Sequence, residues 1–425
     1  MLRVGLFGIL GAGNIGNDAQ MESVLRYLKA DHPDAALDAM CTGPERLKEA
    51  YGIEAIPMHW QWRWDRAAGA EPTARPRTAR RKVRAAAVGI TGMVVDAIRI
   101  GSWVRRHDAV IVPGAGVLEA TLPIRPWGIP YSMFLLCASG RIFGTKVALV
   151  CVGANDINKR PTRWLSTAAA RLAFYRSYRD TLSRDSMTRR GLDTRSDPVY
   201  ADLAYGTPVE PFSVGDARTV GLGVLEYYGD NDDRKRASEL HAAYLEKIKI
   251  FVRWLVDSGH RVRLLVGDST AGSDDCVVRE IIASVRLYRS DLDPDTVTAE
   301  PMSTFADLMT EMARVGTVVA TRYHNVICAL RLAKPTISIG YSAKHVALMS
   351  DMGLSEFCQD ADALDVELLI KQFLELEERS GELASVVADR FEARARRLSE
   401  QFSELSGALF PVVGKSRAEK EPVSG

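Results

Sequence analysis

The sequence predicts an α/β protein of two doubly wound, Rossmann-like domains facing across a cleft. Three observations predict it. Short apolar runs of strand length alternate with helical periodicity almost from end to end. Glycine turns follow two of the early strands, where open parallel sheets carry their ligand loops. The length, 425 residues, exceeds what one hydrophobic core usually supports.

In chain order the first series predicts strand Arg3–Ile9, helix Asp18–Ala30, strand Leu37–Cys41 and helix Pro44–Tyr51. It continues with strand Ala109–Val112, helix Tyr131–Ser139, strand Lys146–Val152, helix Thr162–Ala173 and strand Val199–Ala204. Strands separated by helices make a parallel sheet. After a linker-like stretch, Tyr205–Arg218, the second series predicts strand Val220–Leu225, helix Arg236–Ser258, strand Arg261–Val266 and helix Asp274–Tyr288. Helix Thr304–Ala313, strand Thr317–Thr321, helix Asn325–Leu332, strand Pro335–Gly340 and helix Lys344–Asp351 complete it. The expected organisation is a first domain over 1–210, a second over 217–362, C-terminal helices over 363–411 that pack back onto the first half, and a disordered tail over 412–425.

Composition removes several function classes. Fifty-five basic residues nearly cancel 54 acidic ones, so no general electrostatic case for nucleic acid exists. The six cysteines are scattered without a C-x-x-C pair, and the chain opens directly on a strand, which together predict reduced thiols and a cytoplasmic setting. No Cys, His and carboxylate cluster at ligand spacing occurs, so no metal is expected. The best candidate for a membrane span, Ala85–Val104, carries Asp96 and Arg99 and reads as a packed helix. Before it, the arginine-dense stretch 60–84 has two readings: a solvated loop, or a basic face for anionic lipid or a polyanionic glycan, which would make membrane contact peripheral.

Gly11, Gly13 and Gly16 have the G-x-G-x-x-G spacing of a dinucleotide turn. The acidic residue that should close the next strand is missing; Cys41, Thr42 and Gly43 stand there, which argues against a nicotinamide cofactor. What remains is a tight turn with Asn14, Asn17 and Asp18 at a helix start, suited to an anion or polar hydroxyls or simply to capping. A second turn places Gly114, Gly116 and Glu119 after strand Ala109–Val112. Further on, Arg322, Tyr323 and His324 follow an apolar strand, and Lys344 opens a helix after the next one. Two strand ends would thus bring a planar anion fork, a point charge and a group that titrates near neutrality to one rim. Arg322 paired with a structural carboxylate, and His324 as a buried, satisfied histidine, are the plainer alternatives.

The ensemble resembles the polysaccharide pyruvyl transferase family. The resemblance rests on Gly13-Asn14-x-Gly16, the Gly114/Gly116 turn, "VALVCVGAND", an Arg-Asp-x-x-Ser motif at Arg179, Asp180 and Ser183, then Arg322-Tyr323-His324 and "PTISIGYSAKHVALM". It departs in reading Gly16-Asn17-Asp18 where Gly-Asp-Glu is frequent, and Pro113-Gly114-Ala115-Gly116 where a glycine pair is usual. The resemblance implies a GT-B-like fold and transfer of pyruvate from phosphoenolpyruvate, a donor substrate rather than a cofactor, to two hydroxyls of a sugar in a polysaccharide or glycolipid. It implies donor binding by Arg179, Arg322 and His324, with Tyr323 and Lys344 beside them and the sugar toward Asn14, Gly114 and Gly116. His324 would be the acid, and Asp18 or Glu119 the base. A GT-B-type nucleotide-sugar glycosyltransferase and a non-catalytic glycan-binding member of the family are the alternatives.

Overall fold

The computed structural model describes residues 1–60, 79–120, 126–206, 215–229, 236–268 and 274–410. Most of the arginine-dense stretch and the expected tail lie outside them. The first sheet contains β1 (Arg3–Gly8), β2 (Ala36–Cys41), β3 (Glu54–Pro57), β4 (Ala109–Pro113), β5 (Lys146–Val152) and β6 (Tyr175–Tyr178). Its order is β3-β2-β1-β4-β5-β6, with every pairing parallel. The second contains β7 (Asp216–Gly223), β8 (Arg261–Leu265), β9 (Val297–Thr298), β10 (Val315–Ala320), β11 (Thr336–Gly340) and β12 (Cys358–Asp360), in the order β12-β11-β10-β7-β8-β9 and again parallel. Numbered from its own first strand, each sheet runs 3-2-1-4-5-6. Each therefore reverses direction once, between β1 and β4 and between β7 and β10, and loops at the carboxyl ends of those strands are free to form a site.

The helices between the strands are α1 (Ile15–Asp31), α2 (Pro44–Tyr51), α3 (Ala79–Val104), α4 (Ile129–Phe143), α5 (Arg160–Leu172) and α6 (Thr181–Arg189) in the first half. The second half carries α7 (Ala237–Asp257), α8 (Asp274–Tyr288), α9 (Phe305–Ala313), α10 (Tyr323–Arg331), α11 (Ala343–Asp351), α12 (Val366–Glu378) and α13 (Ser380–Leu409). Strand alternation divides the core of the first half. Val110 and Val112 face a cluster with Phe7, Met133, Leu136 and Ile100, whereas Ala109 and Ile111 face a second cluster that continues without a break into the second half. The two Rossmann-like halves form a GT-B-like fold.

α13 reaches back across the molecule. Midway along it Arg394 pairs with Asp351, and toward its end Gln401 donates to Ser177 Oγ at 2.9 Å and Phe402 stacks on Tyr27 with ring centroids 4.6 Å apart. Its last carbonyls, of Ala408 and Leu409, accept from Lys146 Nζ at 3.1 and 2.7 Å. Two sequence expectations need correcting. The segment expected as strand Val199–Ala204 holds a single bridge, Val199 with Tyr178, followed by a 3-10 turn at Leu203–Gly206. The edge strand of that sheet is instead β6, whose residues Tyr-Arg-Ser-Tyr lack an apolar run.

Candidate active site

The first glycine turn joins β1 to α1. Asn14 caps α1, its Oδ1 accepting from Asn17 N at 3.2 Å. Asp18, in the first turn of the helix, is buried and accepts from Gly11 N at 2.9 Å, which ties the turn to the helix start. Burial, opposed by that hydrogen bond and by Arg46, pushes the Asp18 carboxyl up to about 6. One helical turn beyond Gly16, on the same face of α1, lies Gln20. Its Nε2 donates to both oxygens of Asp202, at 2.7 and 2.8 Å, and its Oε1 accepts from Ala115 N at 2.6 Å. Gln20 thus staples α1 to the second glycine turn, Gly114–Gly116, and to Asp202.

Arg179 leaves the end of β6 and Glu119 the loop after β4. The Arg-Asp-x-x-Ser motif fixes the exit of Arg179: Asp180 caps α6 by accepting from Ser183 N at 2.6 Å, and Ser183 Oγ accepts from Ala154 N at 3.0 Å. The buried Arg179 guanidinium bonds to Glu119 and lies 3.5 Å from Asp202 Oδ2. Gly153 is the floor of this pair; a methyl group there would overlap both the Glu119 carboxylate and the Arg179 guanidinium.

The second half supplies the rest. Arg322 caps α10, so Tyr323 and His324 are its first two residues, and Lys344 and His345 lie in the first turn of α11. The Tyr323 ring receives two cations, Arg179 Cζ and Lys344 Nζ, each 5.1 Å from its centroid. Lys344 Nζ also lies 3.4 Å from Glu119 Oε2. His324 rests on Gly16, where a methyl would fall inside the imidazole, and its Nε2 is 3.5 Å from Gln20 Nε2. His345, fully buried, shares a hydrogen bond of 3.0 Å with Ser338 Oγ and sets its ring edge-on against Tyr323 and Tyr341. The halves also touch through backbone here, Ile15 N donating to Gly267 O at 3.2 Å.

Electrostatics follow from this crowding. Burial would raise the Glu119 pKa, but Lys344 and Arg179 outweigh it and hold the carboxyl below its ordinary range. His324 goes the other way: burial, helped by Arg179 and Lys344 and opposed by Asp202 and Glu119, pushes it down to about 4. Near neutral pH the imidazole is therefore uncharged, between two cations already shared by carboxylates. Any incoming anion would compete with Glu119 for Arg179 and Lys344, and by adding negative charge would favour a proton on His324.

The structure brings together Glu119, Arg179, Tyr323, His324 and Lys344, with Gly114 and Gly116 in the turn behind them. It does not bring the Arg322 guanidinium into that group. Arg322 forks onto Asp274, bonding through Nε and, at 2.7 Å, through Nη2, with Asp268 Oδ2 3.8 Å away. Asp274 is fully buried and also accepts from Glu226 N at 3.1 Å and Gly267 N at 3.3 Å. Asn14 and Asp18 sit at the first turn, where Asn14 bridges to Asp268. Sequence reasoning missed Gln20, Asp202, Asp274 and His345. Only Gln20 left a trace, its place one turn after Gly16. Among the described residues no group of three or more His, Cys, Asp or Glu is arranged to hold a metal ion, and no helix is long and apolar enough to cross a membrane.

The sequence model of the polysaccharide pyruvyl transferases matches residues 14–343, from the cap of α1 to the start of α11. The chain belongs to the polysaccharide pyruvyl transferase family. Of the clustered residues of this pyruvyl transferase family member, Glu119, Arg179, Tyr323 and His324 lie within the matched span and Lys344 one position past its end. No curated protein matches its sequence. Solved structures share its architecture. A UDP co-structure of S. aureus MnaA superposes with a TM-score of 0.61 at 10% identity, over 98% of this chain and 99% of that one. A putative UDP-N-acetylglucosamine 2-epimerase from Listeria monocytogenes gives 0.59 at 12% identity, over 99% of each. A glycosyltransferase from Rickettsia africae gives 0.53 at 10%, over 97% and 99%. At such identities the likeness concerns the fold alone.

Proposed function

We propose that this chain transfers pyruvate from phosphoenolpyruvate to two hydroxyls of a sugar, forming a cyclic ketal and releasing phosphate. The observation that supports it most is the gathering of Arg179 and Lys344 on one Tyr323 ring beside His324, at the junction of the halves. In this reading the donor's carboxylate and phosphate displace Glu119 from the two cations, and Arg322, held by Asp274, borders the donor from the β8 side. The added negative charge loads His324 with a proton, which it delivers to the donor methylene carbon. That proton transfer is worth roughly a hundred- to ten-thousandfold in rate. Carbon 2 becomes electrophilic and a sugar hydroxyl adds to it. The second hydroxyl then displaces phosphate. Of the two hydroxyl protons, one replaces that spent by His324 and the other leaves with phosphate.

Asp18 is the better general base of the two carboxylates, because its raised pKa of about 6 matches the task while Glu119 is held low by its cations. The acceptor, a free or lipid-linked glycan, enters from the side of Asn14 and the Gly114–Gly116 turn. The test incubates the full chain with phosphoenolpyruvate and a panel of glycans. The expected result is a pyruvylated product by mass with matching phosphate release, both lost in His324→Ala. Phosphoenolpyruvate left intact across the panel, with a nucleotide-sugar consumed instead, would replace this reading with glycosyl transfer.

A further inference from the structure

α3, α4 and α5 form one layer over the sheet face turned away from the second half. α3 packs on α4 and α4 on α5. Tyr131 Oη in α4 donates to Met93 O in α3 at 3.3 Å, and Phe134 in α4 meets Trp164 in α5 with ring centroids 5.5 Å apart. Their inner faces, through Ile100, Trp103, Met133, Leu136 and Ala169, fill the outer core cluster.

The outer faces have a composition unlike that of helices turned to water. In α3, Ile90, Val94 and Ile98 repeat at i, i+4 and i+8 and are 64%, 54% and 64% exposed. Ile142 of α4, Trp164 of α5 and Trp127, just before α4, are exposed in the same layer. Among the described side chains of the three helices there is a single acidic residue, Asp96, against five arginines. Asp96 is buried, accepting from Trp60 N at 2.7 Å and pairing with Arg99 at 3.4 Å. Arg141 of α4 and Arg160 and Arg163 of α5 are exposed in this layer, Arg141 and Arg163 adjoining Ile142 and Trp164 in sequence.

We infer that this layer docks the protein on an anionic phospholipid surface. Apolar side chains and tryptophans among cations, with no exposed acid on the three helices, are the chemistry of an interfacial contact, in which the protein lies on the bilayer. Charge selects this occupant over a second copy of the chain. A two-fold contact through the layer would set its arginines against themselves, whereas the phosphodiesters of a bilayer neutralise them. The inference stands apart from the transfer reaction, and its test does not need turnover.

The experiment is co-sedimentation of the full chain with vesicles of phosphatidylcholine alone or mixed with phosphatidylglycerol, beside sedimentation velocity without lipid. Two variants accompany it: Val94→Glu/Ile98→Glu/Trp164→Glu, and Arg141→Glu/Arg163→Glu. All changed residues are exposed, and circular dichroism checks that both variants fold. The wild type is expected to pellet with the anionic vesicles, and each variant to lose at least about tenfold in partitioning, in keeping with the burial of a few large apolar side chains or charge pairs. A wild type that stays in the supernatant overturns the inference. So do equal binding to the neutral vesicles, unchanged pelleting of both variants, and a lipid-free dimer that the same substitutions dissociate.

Discussion

Arg179 and Arg322 each leave the carboxyl end of a strand and each meets buried carboxylate, yet they are held in different ways. Arg322 forks onto Asp274, whose oxygens also take two backbone amides, with Asp268 Oδ2 3.8 Å away, so both Asp274 oxygens are engaged by the fold itself. Arg179 is spread over Glu119, Asp202 and Asp180 and over the Tyr323 ring, and shares Glu119 with Lys344. The first arrangement is a strut. The second is a clamp of two cations shared by one carboxylate, the arrangement that the proposed function has an anionic donor open. Two arginines equivalent in sequence are thus separated by what their carboxylates do with their remaining lone pairs.

The largest effects fall on the strut. Asp274→Ala takes the forked partner from Arg322, leaving it the more distant Asp268 carboxylate, strands two backbone amides, and is expected to cost about 3–5 kcal/mol in chemical denaturation. A loss below about 1 kcal/mol would erase the distinction between the two arginines. In the clamp, Gly16→Ala drives a methyl into the His324 ring, and kcat for pyruvyl transfer should fall about a hundredfold with donor KM nearly unchanged. Lys344→Met removes one of two cations while Arg179 stays on Glu119. Donor KM should rise about tenfold, checked by steady-state kinetics against phosphoenolpyruvate. The smallest effect concerns Asp18. Its folded pKa, raised from 3.8 to about 6, means that ionising it costs more in the fold than in the unfolded chain, so this group's contribution falls as pH climbs through that window. Asp18→Asn should therefore raise stability above pH 6 by about 1–2 kcal/mol while lowering turnover, and a uniform loss of stability at all pH values would contradict the shift.

Much of this was legible in the sequence. The doubly wound pattern, the glycine turns, and the helix starts that carry His324 and Lys344 follow from periodicity and caps, which are local signals. The rest depended on distance. Gln20 reads as an ordinary helix residue and Asp202 as part of an irregular stretch; their bond links positions 182 residues apart. Asp274 reads as the first acid of a helix, and nothing near it in sequence announces Arg322, 48 residues on. β6 escaped because Tyr-Arg-Ser-Tyr sits at a sheet edge with its arginine bound to Asp197, so no apolar run marks it. β9 and β12, of two and three residues, are too short to show alternation.

The central claim is that an anionic three-carbon donor seats on Arg179 and Lys344 and, by its charge, draws a proton from solvent onto His324. Calorimetric titration of phosphoenolpyruvate into the full chain near neutral pH, in buffers of different ionisation enthalpy, measures it directly. The wild type should take up about one proton more per donor bound than His324→Ala, because an imidazole held near 4 is driven above its ordinary range. Equal proton uptake by the two proteins, or no binding heat in the wild type, would contradict it.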